Sequence, residues 1–196
     1  MLEKEIISII HNYAFNNSEK DDIHGFPHVE RVFKLCIQLG KELGANLHII
    51  EIAALLHDIG RIKEKKDISK RNHAEISAEM ALGFLNSNDF NFSKVETESI
   101  IHCIRSHSFS NNTKPKTLEA KILSDADKLD ALGAIGLYRT IGFTIKRKGG
   151  LDQVIEHLEN KILRLKDRMY LDISKKMAEE RELIIYDFYK KILKKK

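Results

Sequence analysis

Two cysteines, two prolines and no long apolar run set the first limits on this 196-residue chain. A bilayer-spanning helix needs about 20 consecutive apolar residues, so a membrane-embedded protein is not expected. Cys36 and Cys103 occupy apolar positions within helical patterns. They read as reduced core residues, which argues against a disulfide framework or a thiolate metal site. The opening stretch MLEKEIISIIHNYAF carries acids among its apolar residues and has no small-residue cleavage site. It does not read as a signal peptide, and a cytoplasmic location is expected. A P-loop and the glycine fingerprint of dinucleotide-binding folds are also missing. So are a convincing strand, internal repeats, low-complexity tracts and an interdomain linker.

Apolar residues recur at three- and four-residue spacing almost throughout, so the predicted class is all-α, a single compact helical domain over residues 1–196. The spacing predicts helices near 2–14, 28–43, 47–59, 72–86, 94–107, 117–139, 152–166 and 173–192. Exposed loops fall near 16–26, 61–71, 108–116 and 143–151. Pro27 suits a first helical position. Asn72 with Glu75 and Ser93 with Glu96 resemble capping boxes, and Gly44 and Gly60 suit C-terminal caps.

The formal charge of +4 is modest but clustered, in Arg61–Lys66, Lys70-Arg71, Lys146–Lys148 and Lys194–Lys196. Solvated loops and a tail account for most of this. The first cluster directly follows the stretch AALLHDIGR (53–61), where an almost unbroken apolar run ends in His57-Asp58. A position beside such a pair suits an anionic substrate. Burying Asp58 without a partner is prohibitive, so something must compensate it.

The histidines supply an answer. His28 shares the inward stripe of Val32, Leu35 and Leu39. His73 lies on the face of Ser77, Met80 and Phe84, and His107 is in line with Ile100, Cys103 and Ile104. Four inward-facing histidines near helix ends, one beside an aspartate, form a site for Mn, Fe, Ni, Zn or Mg as the divalent ion. A further carboxylate is expected from KILSDADKLDALGAIG. Asp125 has Lys121 four residues before it and Lys128 three after, so an ordinary ion pair explains it. Asp127 centres a stripe of small residues, Ala120, Ala131 and Ala134, with no evident cationic partner at helical spacing in its own helix. It is the preferred ligand, with Asp125 the alternative.

His28 in HVERV, LLHDIGR and the downstream DADKLDA together resemble the H…HD…D signature of the HD superfamily of metal-dependent phosphohydrolases. HGFPHVERV, NHAEISAEMA, IRSHSFS, LEAKILSDADKLDALGAIG and MAEERE resemble segments of the small stand-alone bacterial and archaeal members, so the likeness covers nearly the whole chain. It implies a metal-site core over about 24–140, with helices over about 151–195 closing the core or forming a dimer face. One divalent metal would be held by His28, His57, Asp58 and Asp127. His73 and His107 fall where other branches hold a second metal, and they also serve as phosphate-contact candidates. No GYP motif is present, which argues against cyclic dinucleotides.

The implied reaction is attack of a metal-activated water, oriented by Asp58, on a phosphorus centre. The substrate is a phosphorylated small molecule, expected to be a nucleotide: a nucleoside triphosphate losing pyrophosphate or a nucleotide losing phosphate. Candidates for binding phosphate are His24, Arg31, Arg61, Lys63, Arg105 and Lys128. Tyr138 and Tyr170 are available for a base, though helix packing explains both. A homodimer is compatible with the C-terminal helices, and nucleic acid is not the expected partner. Two other classes stay open. The ordered set His28, His57, Asp58, His73, His107 and Asp127 also resembles the di-iron HD oxygenases. The basic loops also suit a non-catalytic module that binds a nucleotide or nucleic acid.

Overall fold

The computed structural model describes residues 2–194, and among these the chain is helical with no strand. In chain order, α1 (Glu3–Asn16), α2 (Phe26–Leu43), α3 (Leu47–Leu56), the single turn α4 (Arg61–Glu64) and α5 (His73–Asn86) form the first half. There follow α6 (Lys94–His107), α7 (Leu118–Asp130), α8 (Gly133–Lys146), α9 (Leu151–Asn160) and α10 (Asp172–Leu193). Lys195 and Lys196 of the terminal basic cluster lie outside the described residues. No described helix is long and apolar enough to cross a membrane.

The core is organised about α3. Its sequence LHIIEIAALL is apolar nearly all round, and Ile49, Ile50, Ile52, Ala53, Ala54, Leu55 and Leu56 are all buried. A helix without a polar face must be surrounded. Accordingly α1, α2, α5, α6 and α7 all pack on it. Asn46 starts this helix by accepting the Ile49 amide, as an N-cap does. The outer helices turn one stripe inward: Val29, Val32, Cys36 and Leu39 on α2, and Ile100, Cys103 and Ile104 on α6. Both cysteines are buried and unbridged. In the C-terminal part, α10 rests on α7 and α8, with Ala178 and Ile185 buried.

Several local expectations are corrected. The helix predicted over 117–139 is two helices. After Asp130 the chain leaves helical geometry at Leu132, and Gly133 takes φ +74°, a left-handed conformation that a side chain resists. The apolar period survives the break because α7 and α8 each bury a face. The 152–166 segment stops being α-helical at Asn160 and continues in short 3₁₀ turns. The loop predicted at 61–71 begins with α4, and α8 runs through Lys146 into the loop predicted at 143–151. Ser93 and Glu96 form a reciprocal capping box. Asn72 caps α5 alone, while Glu75 turns to Arg105 at 2.8 Å.

Gly60 is not a C-terminal cap either. It has ordinary right-handed geometry and sits where α5 crosses the turn, donating its amide to Ser77 Oγ at 2.9 Å. A Cβ there would lie 2.6 Å from the Ser77 backbone nitrogen. Gly60→Ala should therefore cost about 1–3 kcal/mol through overpacking, read as a melting temperature several degrees lower.

Candidate metal centre

Helix ends bring the histidines and carboxylates together. His28 stands in the first turn of α2, behind Gly25 and Pro27. His57 caps the C-terminus of α3, and Asp58 follows it into the core. His73 opens α5, His107 closes α6, and Asp127 and Asp130 lie in the last turn of α7. Because α3 is central, its terminus carries His57 and Asp58 to the middle of the molecule, where the surrounding helices converge.

Every imidazole of the cluster is oriented through Nδ1. His57 and His107 donate from it to the carbonyls of Ala54 at 2.7 Å and Ile104 at 2.6 Å. His28 Nδ1 is 2.7 Å from Asp130 Oδ2, and His73 Nδ1 is 3.3 Å from Glu64 Oε1. A carbonyl only accepts, so Nδ1 of His57 and His107 carries the proton and Nε2 presents a lone pair. That arrangement is how metal-binding histidines are held. The Nε2 atoms surround Asp58. Those of His28 and His57 are each 3.6 Å from Asp58 Oδ2, and those of His73 and His107 are each 3.5 Å from Oδ1. Asp127 Oδ1 lies 3.2 Å from His28 Nε2.

Two sets of donors emerge, His28–His57–Asp58 and Asp58–His73–His107, sharing one carboxylate. Asp58 Oδ1, His73 Nε2 and His107 Nε2 are buried with no hydrogen-bond partner. Unsatisfied buried polar atoms are costly and rare. Lone pairs facing a carboxylate oxygen fit a divalent cation, so the cluster is compatible with such an ion.

The electrostatics point the same way. Burial pushes the Asp58 carboxyl up, but Arg61, with Nε at 2.5 Å, and the surrounding histidines outweigh it and hold the group well below the usual carboxylate range. Asp127 is likewise held low against its desolvation by His28, His107 and His57. Burial lowers His57 to about 4, and burial with Arg61 and Arg139 lowers His24 to about 3. Burial also lowers His73. The unfolded chain therefore binds protons first. Metal-free protein should be fully stabilised by these groups above pH 6.5 and lose that stability as pH falls toward 4. Denaturant midpoints in EDTA from pH 8 to pH 4 would check this, and a flat profile would contradict it.

The cluster opens through His73, His107 and Asp127 onto a cavity of about 310 Å³. Of the sequence candidates for phosphate, His24, Arg61 and Lys128 line it. Lys128 is anchored to Ser124 through its Nζ, at 2.9 Å from the carbonyl and 2.6 Å from the hydroxyl. The other three are elsewhere. Arg31 grips Asp130 at 2.7 and 3.0 Å, Arg105 is paired with Glu75, and Lys63 is exposed on α4. Asp125 is also engaged elsewhere. It accepts the amides of Tyr170 and Leu171 at 3.0 and 2.9 Å, with Lys128 at 3.8 Å, tying α7 to the C-terminal segment. Tyr138 and Tyr170 are 53% and 44% exposed and absent from the cavity wall, so neither is packed in the core.

Sequence reasoning gave Asp130, the third carboxylate of KILSDADKLDALGAIG, no role. Its carboxylate receives His28, both contacts from Arg31, and Arg139 Nη1 at 2.6 Å. The signal was available: Asp127 and Asp130 share a helix face at three-residue spacing, as do His28 and Arg31. Also missed were Arg139, Thr140, Phe143, His157 and Lys161, which line the cavity from α8 and from α9 and its C-terminal end. The C-terminal segment, expected to close the core or form a dimer face, thus also contributes His157 and Lys161 to the cavity wall.

Comparison with known proteins agrees with this architecture. The HD domain profile matches residues 25–132. An uncharacterised Bacillus subtilis protein, YpgQ, is 32% identical over 179 residues, covering 87% of this chain and 83% of its own. The crystal structure of YpgQ in complex with ADP superposes with a TM-score of 0.79 at 29% identity, covering 100% of this chain and 97% of that one. An HD-superfamily hydrolase from Bacillus thuringiensis has a TM-score of 0.75 at 30% identity, covering 99% and 98% of the two chains. Ribonuclease Y from Thermoanaerobacter pseudethanolicus is 27% identical over 81% of this chain, which spans 28% of that longer protein.

Proposed function

The chain belongs to the HD-domain family, and from that premise we propose that it is a divalent-metal-dependent phosphohydrolase acting on a nucleotide. Either a nucleoside triphosphate is cut to monophosphate and pyrophosphate, or a nucleotide loses phosphate. The observation that carries this reading is the buried His/Asp cluster opening onto a cavity walled by Arg61, Lys128, Arg139 and Lys161. Donors for a cation and donors for an anion share one space. The ADP bound by YpgQ supports a nucleotide as the anion.

In this reading His28, His57, Asp58 and Asp127 hold the metal. A divalent ion bound there lowers the pKa of a water and polarises a phosphoryl oxygen. The protein's own groups do the rest. Arg61, held by Asp58, and Lys128, held by Ser124, are preorganised donors for charge developing on phosphoryl oxygens, and Lys161 lines the same cavity. Asp58 is only 1% exposed, whereas Asp127 is 24% exposed and reaches the cavity. Asp127 is therefore better placed than Asp58 to orient an attacking water.

A second reading concerns metal number. The Asp58–His73–His107 set has buried, unpartnered atoms of its own, which favours a second ion that these three residues would hold.

The test is untagged protein with Mn²⁺ and a panel of nucleotides, sugar phosphates and cyclic nucleotides, products identified by mass. Release of pyrophosphate or phosphate is expected. Silence with Mn²⁺, Mg²⁺ and Ni²⁺ alike would overturn the proposal. Bound iron with an oxygen-dependent visible band would then favour the oxygenase. Salt-sensitive nucleic-acid binding that survives His57→Ala would favour the binding module.

A further inference from the structure

The cavity wall farthest in sequence from the metal cluster has a different chemistry. It is built by α8, α9 and the 3₁₀ turn that follows, and it presents Phe143, Ile162 and Leu165. Phe143 is the one phenyl or phenol ring among the described residues that line the cavity. It is half-buried, so it is neither a core residue nor a free surface ring.

Its position is held from several sides. The His24 ring meets it at 5.1 Å and 68°, the His157 ring at 5.6 Å and 61°, and the Arg147 guanidinium lies 4.4 Å from its centroid. Both imidazoles also line the cavity. Burial lowers the pKa of each, assisted by Arg61 and Arg139 at His24 and by Lys161 and Arg147 at His157. A neutral imidazole offers one donor and one acceptor, which suits the edge of an uncharged heterocycle better than a phosphate.

We propose that Phe143 is the stacking platform for the nucleobase of the substrate, with His24 and His157 flanking it. The proposal rests on the nucleotide reading above and adds the substrate's orientation. A phenyl face carries partial negative charge and does not attract phosphate. The phosphates therefore lie against Arg61, Lys128 and Lys161, and the base is the part of the ligand that meets Phe143. The α7–α8 break at Leu132-Gly133 is what allows α8 to supply this wall. A base platform accepts any base by its π face, so breadth across purines and pyrimidines is the expected specificity.

The chain contains no tryptophan, so Phe143→Trp creates a single tryptophan reporter at the platform, excited selectively at the red edge where tyrosine does not absorb. With Mn²⁺ present, ADP should quench its emission saturably. Inorganic tripolyphosphate, which has no base, should displace ADP without quenching. Phe143→Ala should raise the ADP dissociation constant about 5- to 150-fold, the range of base–aromatic stacking. Phe143→Leu keeps apolar volume but lacks the ring, and it should behave like the alanine variant toward ADP. Tripolyphosphate affinity should stay at the wild-type value in both. Unchanged ADP affinity in both variants, with wild type binding ADP, overturns the platform alone. Wild type that binds neither ADP nor tripolyphosphate overturns the nucleotide reading and the platform together.

Discussion

Asp58→Ala is expected to lower metal-dependent hydrolysis by about a thousandfold or more, since a Lewis-acid contribution of several kcal/mol is at stake. The reason is geometric. Asp58 faces the Nε2 atoms of His28, His57, His73 and His107 at once and belongs to both donor sets. No neighbouring carboxylate can take that place, because Asp127 approaches only from the His28 side. A second readout separates lost metal binding from lost folding. Saturating Mn²⁺ at a hundred times its dissociation constant should stabilise the wild type by about 2.7 kcal/mol, visible as a raised melting temperature. Asp58→Ala should show no such rise while remaining folded, since Arg61 is a quarter exposed and can turn its freed guanidinium to water. A metal-induced rise of wild-type size in Asp58→Ala would remove Asp58 from the ligand set.

Asp130→Ala is expected to act twice, on stability and on metal affinity. The Asp130 side chain is 4% exposed and satisfies His28 Nδ1, Arg31 and Arg139 together. Removing one partner of a buried charge network leaves the others stranded, at about 3–5 kcal/mol. For a chain of this size that lowers the melting temperature by roughly 10 °C. Asp130→Asn preserves shape but not charge, and should weaken Mn²⁺ binding by about 10- to 100-fold, because the carboxylate behind His28 fixes the ring and raises its basicity. Asp125→Ala provides the control. It loses the Tyr170 and Leu171 contacts and should also be destabilised, yet its metal affinity should be unaffected. Equal metal affinity in wild type and Asp130→Asn would show that Asp130 serves packing alone.

The contrast between Asp125 and Asp130 also shows what could be read in advance. Asp125 was explicable by lysines in its own helix, and one of them, Lys128, is indeed near it. Its principal partners are amides 45 and 46 residues away, which no helical period encodes. Asp130 could have been found, since its spacing from Asp127 matches that of Arg31 from His28. Recognising the match required knowing that α2 and α7 face one another. Arg31 illustrates the opposite error. It stands one turn from His28, as a substrate contact would, but its guanidinium points to Asp130.

What the sequence determined by itself is local. The three- and four-residue apolar period placed the helices, and the near-continuous apolar run of α3 marked the element that had to lie inside. Histidines and aspartates at helix ends announced metal-compatible chemistry. Each of these follows from one helix considered alone, where backbone geometry dictates which residues share a face. The tertiary structure decided what depends on two or more helices: the shared position of Asp58, the hold of Asp130 on His28, and the wall built by Phe143, His157 and Lys161. A periodic pattern states which face is buried but not what it is buried against. It also runs unchanged through a break such as Leu132-Gly133. That choice is made by the packing of elements far apart in the chain, and only their assembled geometry records it.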